Sequence, residues 1–155
     1  VSPPLGLTTG TSPTLTGAEN ARFLCKLYGD DGYLMRERMQ FIRDFSELGP
    51  FFERPVLAYS AGMRARLGFA MSMAFEFDYY LIDELTSVGD RSFRRKADAA
   101  FAAKSGKASV IMVSHSMNKI LNECERGIVL HDGKPVPFDD IDEAVRFYEE
   151  VVAPN

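Results

Sequence analysis

The sequence predicts an α/β fold with a mostly parallel sheet, preceded by a small helical block, and three observations carry that reading. Two short apolar runs, 79–82 and 108–113, have the character of buried parallel strands. A segment with helical spacing separates them, and alternation of strands with helices is the pattern of an α/β sheet. Upstream, residues 17–58 hold two stretches of helical periodicity and no strand-like run. The chain of 155 residues has the length of one domain. At that size it buries roughly 68–70% of its unfolded surface, enough for a core without staples.

Taken in order, the first residues are biased: 13 of the first 17 are Thr, Gly, Pro or Ser, which reads as a loop or a frayed end. Thr16 and Glu19 fit a capping box. The helix they start runs through Ala21, Phe23, Leu24 and Leu27 and stops near Gly29. A second helix is predicted over 33–48, with Leu34, Met35, Met39, Ile42, Phe45 and Leu48 on one face, and Gly49-Pro50 ends it. From Ser60 to about residue 75 a helix carries Arg64 and Arg66 as its only charges, and a helix apolar nearly all round is a buried one. Asp90 is the expected N-cap of a helix over 91–104, and a short helix follows at 117–123. Strands at 127–130 and 135–138 flank the turn His131-Asp132-Gly133-Lys134 and form a hairpin. The chain closes on an amphipathic helix over 139–151 that turns Ile141, Ala144, Val145, Tyr148 and Val152 inward.

The charge balance, 18 Lys+Arg against 22 Asp+Glu, argues against a dedicated nucleic-acid binder, which shows a basic face. Cys25 and Cys124 form neither a metal cluster nor a disulfide framework, so a reducing compartment is the natural reading. No apolar run is long enough to span a bilayer, and no basic segment precedes an apolar one at the start. The chain opens on Val1 rather than on methionine, which points to a fragment.

Chemistry gathers at the strand ends. The first strand ends in Asp83-Glu84 and the second in Ser114-His115, and in open parallel sheets ligands bind outside the carboxyl ends of strands. One carboxylate there can hold Mg²⁺ and its neighbour can take a proton from an attacking water. The same acids also serve elsewhere as solvated loop residues or caps, and a lone histidine is more often a hydrogen-bonded structural residue. Tyr59-Ser60-Ala61-Gly62-Met63 sets a hydroxyl and a glycine at a helix start, where free N–H groups and the dipole favour an anion. A plain serine cap gives the same pentapeptide.

As a set, these motifs resemble one family. Residues 59–70 are similar to the signature motif of ATP-binding cassette (ABC) ATPases and the helix after it. Tyr79-Tyr80-Leu81-Ile82-Asp83-Glu84 looks like the Walker B strand with its catalytic glutamate, Ser87-Val88-Gly89-Asp90 resembles the D-loop, and Val113-Ser114-His115 the switch histidine. The wording is closest to the branch exporting capsular and related surface polysaccharides, which the segment 15–20, Leu-Thr-Gly-Ala-Glu-Asn, also fits.

The resemblance implies part of a P-loop NTPase domain: 1–16 a remnant of the strand and Q-loop region, 17–58 the helical subdomain, and 59–155 the C-terminal part of the RecA-like core. It implies ATP and Mg²⁺ as cofactors, with Asp83 organising the metal, Glu84 activating water and His115 contacting the γ-phosphate. Tyr59, Ser60, Ala61, Gly62 and Met63 would cover the nucleotide of a second subunit in a head-to-tail homodimer, and Asp90 would couple the two sites. A polysaccharide-export permease would be the membrane partner, with the subunit peripheral at the cytoplasmic face of the inner membrane. Two departures matter. The phosphate loop Gly-x-x-x-x-Gly-Lys-Ser/Thr is not in the sequence, and the place of the Q-loop glutamine falls on Ser12, the only glutamine being Gln40. The expectation is a truncated chain, inactive alone, with a non-catalytic remnant or interaction module as the rival reading.

Overall fold

A computed structural model describes residues 1–2, 11–83, 90–106 and 108–153, with the side chains of Asp83 and Ser105 outside that description. The chain divides into two compact units, 1–111 and 112–155.

In the first unit, α1 (Gly17–Leu27) starts on the expected capping box. The Glu19 N–H donates to the Thr16 hydroxyl at 3.0 Å, and the Thr16 N–H donates to the Glu19 carboxylate at 2.8 Å. Both bonds satisfy backbone donors that a helix start otherwise leaves unpaired. They also hold the Glu19 carboxyl below its ordinary pKa, the backbone bond from Thr16 first among the causes. Gly17 has to be glycine: a Cβ there would stand 2.5 Å from the Tyr59 hydroxyl and 3.1 Å from the Phe52 carbonyl.

Helix α2 (Gly32–Ser46) ends two residues earlier than the periodicity predicts. Glu47 adopts the left-handed conformation at φ 54 and Gly49 follows at the same φ, which turns the chain out of the helix. Ile42, Phe45 and Leu48 are buried as expected, but Leu34 is 44% exposed, so the apolar stripe starts a turn later. Two 3₁₀ turns, Gly49–Glu53 and Val56–Ala58, then seat Phe52 and Val56 in the core.

Helix α3 (Ala61–Met73) is buried from Leu67 through Met73 on every side, as its lack of an amphipathic pattern requires. Strand β1 (Tyr79–Asp83) follows, then α4 (Arg91–Ser105) and β2 (Ser109–Val113), which pairs with β1. This strand–helix–strand unit is the α/β element that the alternation predicts. The strands are not buried on both faces, however. Tyr80 and Ile82 are nearly inaccessible, whereas Tyr79 is 46% and Ile111 54% exposed, so one side of the pair packs on the core and the other is open among the described residues.

The start of the chain is not frayed at Ser2. Its N–H donates to the Tyr79 carbonyl at 2.8 Å, its hydroxyl accepts from the Leu81 N–H at 3.0 Å, and it is buried beside β1.

The second unit holds α5 (Met117–Glu123), a hairpin of β3 (Gly127–His131) and β4 (Lys134–Phe138), and α6 (Ile141–Phe147). The turn residues Asp132 and Gly133 both have positive φ, 49° and 72°, as a two-residue hairpin turn needs. Pairing of His131 with Lys134 puts Pro135 and Pro137 at alternate positions of the antiparallel ladder, where no N–H is required of β4. Val129 packs inward with Ala144 and Val145. The closing helix is shorter than predicted. Asp140 caps it, accepting from the Glu143 N–H at 3.1 Å, and from Tyr148 to Val152 the chain winds as a π-turn. That change of pitch leaves Tyr148 and Val152 half-buried rather than inward.

Candidate functional site

The start of α3 is built in layers. Tyr59 is 4% exposed, and its hydroxyl donates to the Phe51 carbonyl at 2.7 Å, which pins the residue before the helix into the helical block. Burial pushes its phenol up from the ordinary value, so the ring stays neutral and serves as an anchor. Arg64 reaches back to donate to the Tyr59 carbonyl at 2.5 Å. Ser60 then caps the helix, its hydroxyl accepting from the Met63 N–H at 3.2 Å.

Ser60 and Ala61 are exposed, and Gly62 is half-buried. Among the described residues a Cβ built on Gly62 would meet only the Ser60 hydroxyl, at 3.9 Å, and its φ is not positive. Neither their packing nor the backbone geometry therefore demands glycine there. The arrangement offers first-turn amides and the positive end of the helix dipole, a combination that suits an anion approaching closely.

Asp90 divides its carboxylate between two tasks. Oδ1 accepts from the N–H groups of Ser92 and Phe93, each at 3.0 Å, and from the Ser92 hydroxyl at 2.7 Å, capping α4. Oδ2 pairs with the Arg66 guanidinium on α3. These contacts hold the carboxyl down at about 2, the Phe93 backbone bond contributing most and the Ser92 hydroxyl next, with Arg66 adding to them.

The remaining sequence-predicted residues are placed less closely. Asp83 ends β1 as expected, and Glu84 lies outside the described residues. His115 belongs to the second unit, exposed, two residues past the end of β2. What the structure brings together is Arg66 of α3 and Asp90 at the start of α4, both in the first unit.

Three contributors escaped the sequence reading. Asn20 braces the loop before α1: its side chain accepts from the Ser12 N–H at 2.7 Å and donates to the carbonyls of Ser12 and Thr16 at 3.1 and 2.9 Å. Arg66 and Glu47 join α3 to neighbouring helices. A charged residue on an otherwise apolar helix is the signal that could have flagged Arg66. A groove of about 630 Å³ lined by Tyr28, Leu34, Arg38, Phe41, Phe75 and Lys104, among others, contains none of the candidate residues.

No family model matches the chain. Individual proteins do. It is 43% identical to the polysialic acid transport ATP-binding protein KpsT of Escherichia coli and 42% identical to the ATP-binding protein BexA of Haemophilus influenzae, over 97% of this chain and 68% of each relative. The chain belongs to the ABC transporter ATP-binding subunits. The capsule polysaccharide export ATP-binding protein CtrD of Neisseria meningitidis is similar to this ABC subunit at 40% identity over the same shares. Against a second E. coli KpsT, 45% identical, the coverage is 57% of the relative, so the chain spans roughly three-fifths to two-thirds of the relatives' length. A solved ATP-binding subunit of an ABC transporter superposes with a TM-score of 0.73 at 19% identity, covering 89% of this chain and 58% of that one, which supports the same fold.

The exposed helix start suits a phosphate, whereas the phosphate-loop cradle is not in the sequence. Among the described residues no group of three His, Cys, Asp or Glu could hold a metal, and no described helix is long and apolar enough to cross a membrane.

Proposed function

We propose that this chain supplies the signature and Walker B side of an ATP-hydrolysing subunit that powers export of a capsule-type polysaccharide. The observation that carries the reading is Gly62: a glycine that nothing among the described residues requires, at an exposed and firmly anchored helix start. The names of the relatives, polysialic acid transport and capsule polysaccharide export, supply the substrate class.

In this reading Ser60, Ala61 and Gly62 cover a phosphate bound on the opposite subunit of a head-to-tail dimer, held there by Tyr59 and Met63. Asp90, paired with Arg66 one turn beyond Gly62 on α3, couples the two sites. Bound Mg-ATP would supply the phosphoryl group and its charge-neutralising metal. Asp83 would help hold that metal, Glu84 would take a proton from water, and His115 would face the γ-phosphate. A polysaccharide-export permease would dock the dimer at the cytoplasmic face of the inner membrane, which makes the subunit a peripheral one.

The 155 residues alone bind ATP weakly in this reading, because triphosphate affinity in P-loop proteins comes from the backbone cradle and lysine of the phosphate loop. That gap also favours a second reading, a non-catalytic interaction module. The two separate when the upstream third of KpsT is joined to this chain. The extended subunit is expected to hydrolyse Mg-ATP, and Glu84→Gln is expected to cut turnover at least a hundredfold while binding persists, since the water loses its base. Near-normal turnover in Glu84→Gln would favour the module.

A further inference from the structure

We propose that Arg66 is a positioning residue that fixes the start of α4 against α3, so that Asp90 and Ser60–Gly62 reach the partner subunit as one rigid surface. The proposal rests on the dimer reading above. Three observations in the first unit support it.

The first is the division of labour on Asp90. Its cap orders only the first turn of α4, through the amides of Ser92 and Phe93. Capping does not determine where α4 lies along α3. Arg66 supplies that information, because its guanidinium pairs with Asp90 Oδ2 while its Cζ lies over the Phe93 ring, 5.0 Å from the centroid. A rigid planar fork holds direction as well as distance, which a single flexible ammonium does not.

The second is a further tie through Glu47. Arg66 Nη1 lies 3.7 Å from the Glu47 carboxylate, and Lys96 of α4 lies 2.7 Å from it. Lys96 also donates to the Phe45 carbonyl at 3.1 Å. Glu47 stands at φ 54, a conformation that side chains other than glycine seldom adopt, and two cations hold its carboxylate there. One ionic layer thus joins the end of α2, the middle of α3 and the first turns of α4.

The third is what lies beneath. The rings of Phe45, Phe69 and Phe93 pack at 5.8 to 6.3 Å, so apolar contact already sets the spacing of the three helices. The ionic layer is the exposed side of this packing: the side chains of Asp90, Glu47 and Lys96 are 58%, 45% and 36% exposed. Exposed ion pairs add little to stability. What this layer can fix is register, the sliding of α4 along α3 that smooth ring contacts leave free.

The test compares Arg66→Gln, Asp90→Asn and the double variant, because asparagine keeps the cap and loses the ion pair. In the 155-residue chain, hydrogen exchange at the amides of 92 and 93 should quicken about tenfold in either single variant and no further in the double, with α3 amides unchanged. In the subunit extended with the upstream third of KpsT, kcat should fall about tenfold with KM for Mg-ATP within twofold. Arg66→Lys, which keeps the charge without the planar fork, should recover little of that loss, and Glu47→Gln should cost less than Arg66→Gln. Effects that multiply in the double variant, a KM rising in step with the loss of kcat, or unchanged kcat in Arg66→Gln would each overturn the proposal. If the unsubstituted extended subunit fails to hydrolyse Mg-ATP, the ATPase reading fails, and the exchange measurement still decides the role of Arg66.

Discussion

From Leu67 to Met73 every side of α3 is buried, whereas at Ser60, Ala61 and Gly62 the same helix meets solvent. The buried half is constrained by packing: Leu67 and Met73 are almost wholly inaccessible, and Phe69 stacks on Phe45 and meets Phe93 edge to face. The exposed half is constrained by little inside the chain, yet it is anchored more firmly than a loop, through the Tyr59 hydroxyl and the Arg64 bond to the Tyr59 carbonyl. A short polar segment held this rigidly, with room where a Cβ would go, is shaped for contact with something outside the chain. The C-terminal half of the helix makes the fold and the N-terminal half is free to make the function.

Substitutions in the two halves should therefore behave in opposite ways. Leu67→Ala should have the largest effect on stability, about 3 kcal/mol, because it leaves a cavity in a fully packed site. For a chain of this length that corresponds to a fall of roughly 6–12 °C in the thermal midpoint, readable by calorimetry. Gly62→Ala should have the reverse sign. The added methyl meets only the Ser60 hydroxyl at an ordinary 3.9 Å among the described residues and the backbone is already helical, so stability should rise slightly, by up to about 0.5–1 kcal/mol. A marked loss of stability in Gly62→Ala would erase the contrast between the halves.

The smallest effect concerns the link to α4. The Asp90 carboxyl lies at about 2, below its ordinary 3.8. A depressed acid contributes stability that is present above the unfolded value and lost as pH falls through the folded one, so its share should disappear between about pH 4 and pH 2. Because Asp90 is exposed, that share is small. A carboxyl NMR titration should place the midpoint near 2. Arg66→Gln should raise it only part of the way, since the bonds from Phe93 and Ser92 are the larger causes. Full return to the ordinary value would assign the shift to Arg66 alone.

Much of this organisation was legible in the residues. The Thr16 and Glu19 capping box, the Asp90 cap, the Asp132-Gly133 turn and the all-round burial of α3 each have a local chemical cause, so the sequence suffices to place them. What escaped depends on distant partners. Leu34 follows the helical spacing yet is exposed, because burial is decided by what packs opposite. Ser2 reads as a frayed start and is bonded to a strand nearly eighty positions away. Arg66 and Asp90 are 24 residues apart, and no periodicity links them. The apolar runs of β1 and β2 predict two covered faces, whereas Tyr79 and Ile111 are open, in a chain that spans only part of its relatives' length. At the site, the helix start and Asp90 were read correctly as local features, while the residues that hold them together were not.

The most direct measurement is sedimentation of the subunit extended with the upstream third of KpsT, in a Glu84→Gln background so that ATP is not consumed. With Mg-ATP the Gly62 protein should sediment as a dimer. The Gly62→Asp variant should remain a monomer while still binding ATP, because a carboxylate and a Cβ would occupy the place where the partner's phosphate approaches, without disturbing the packing among the described residues. A Gly62→Asp dimer that forms normally with Mg-ATP would contradict the account and reduce Ser60–Gly62 to a helix cap.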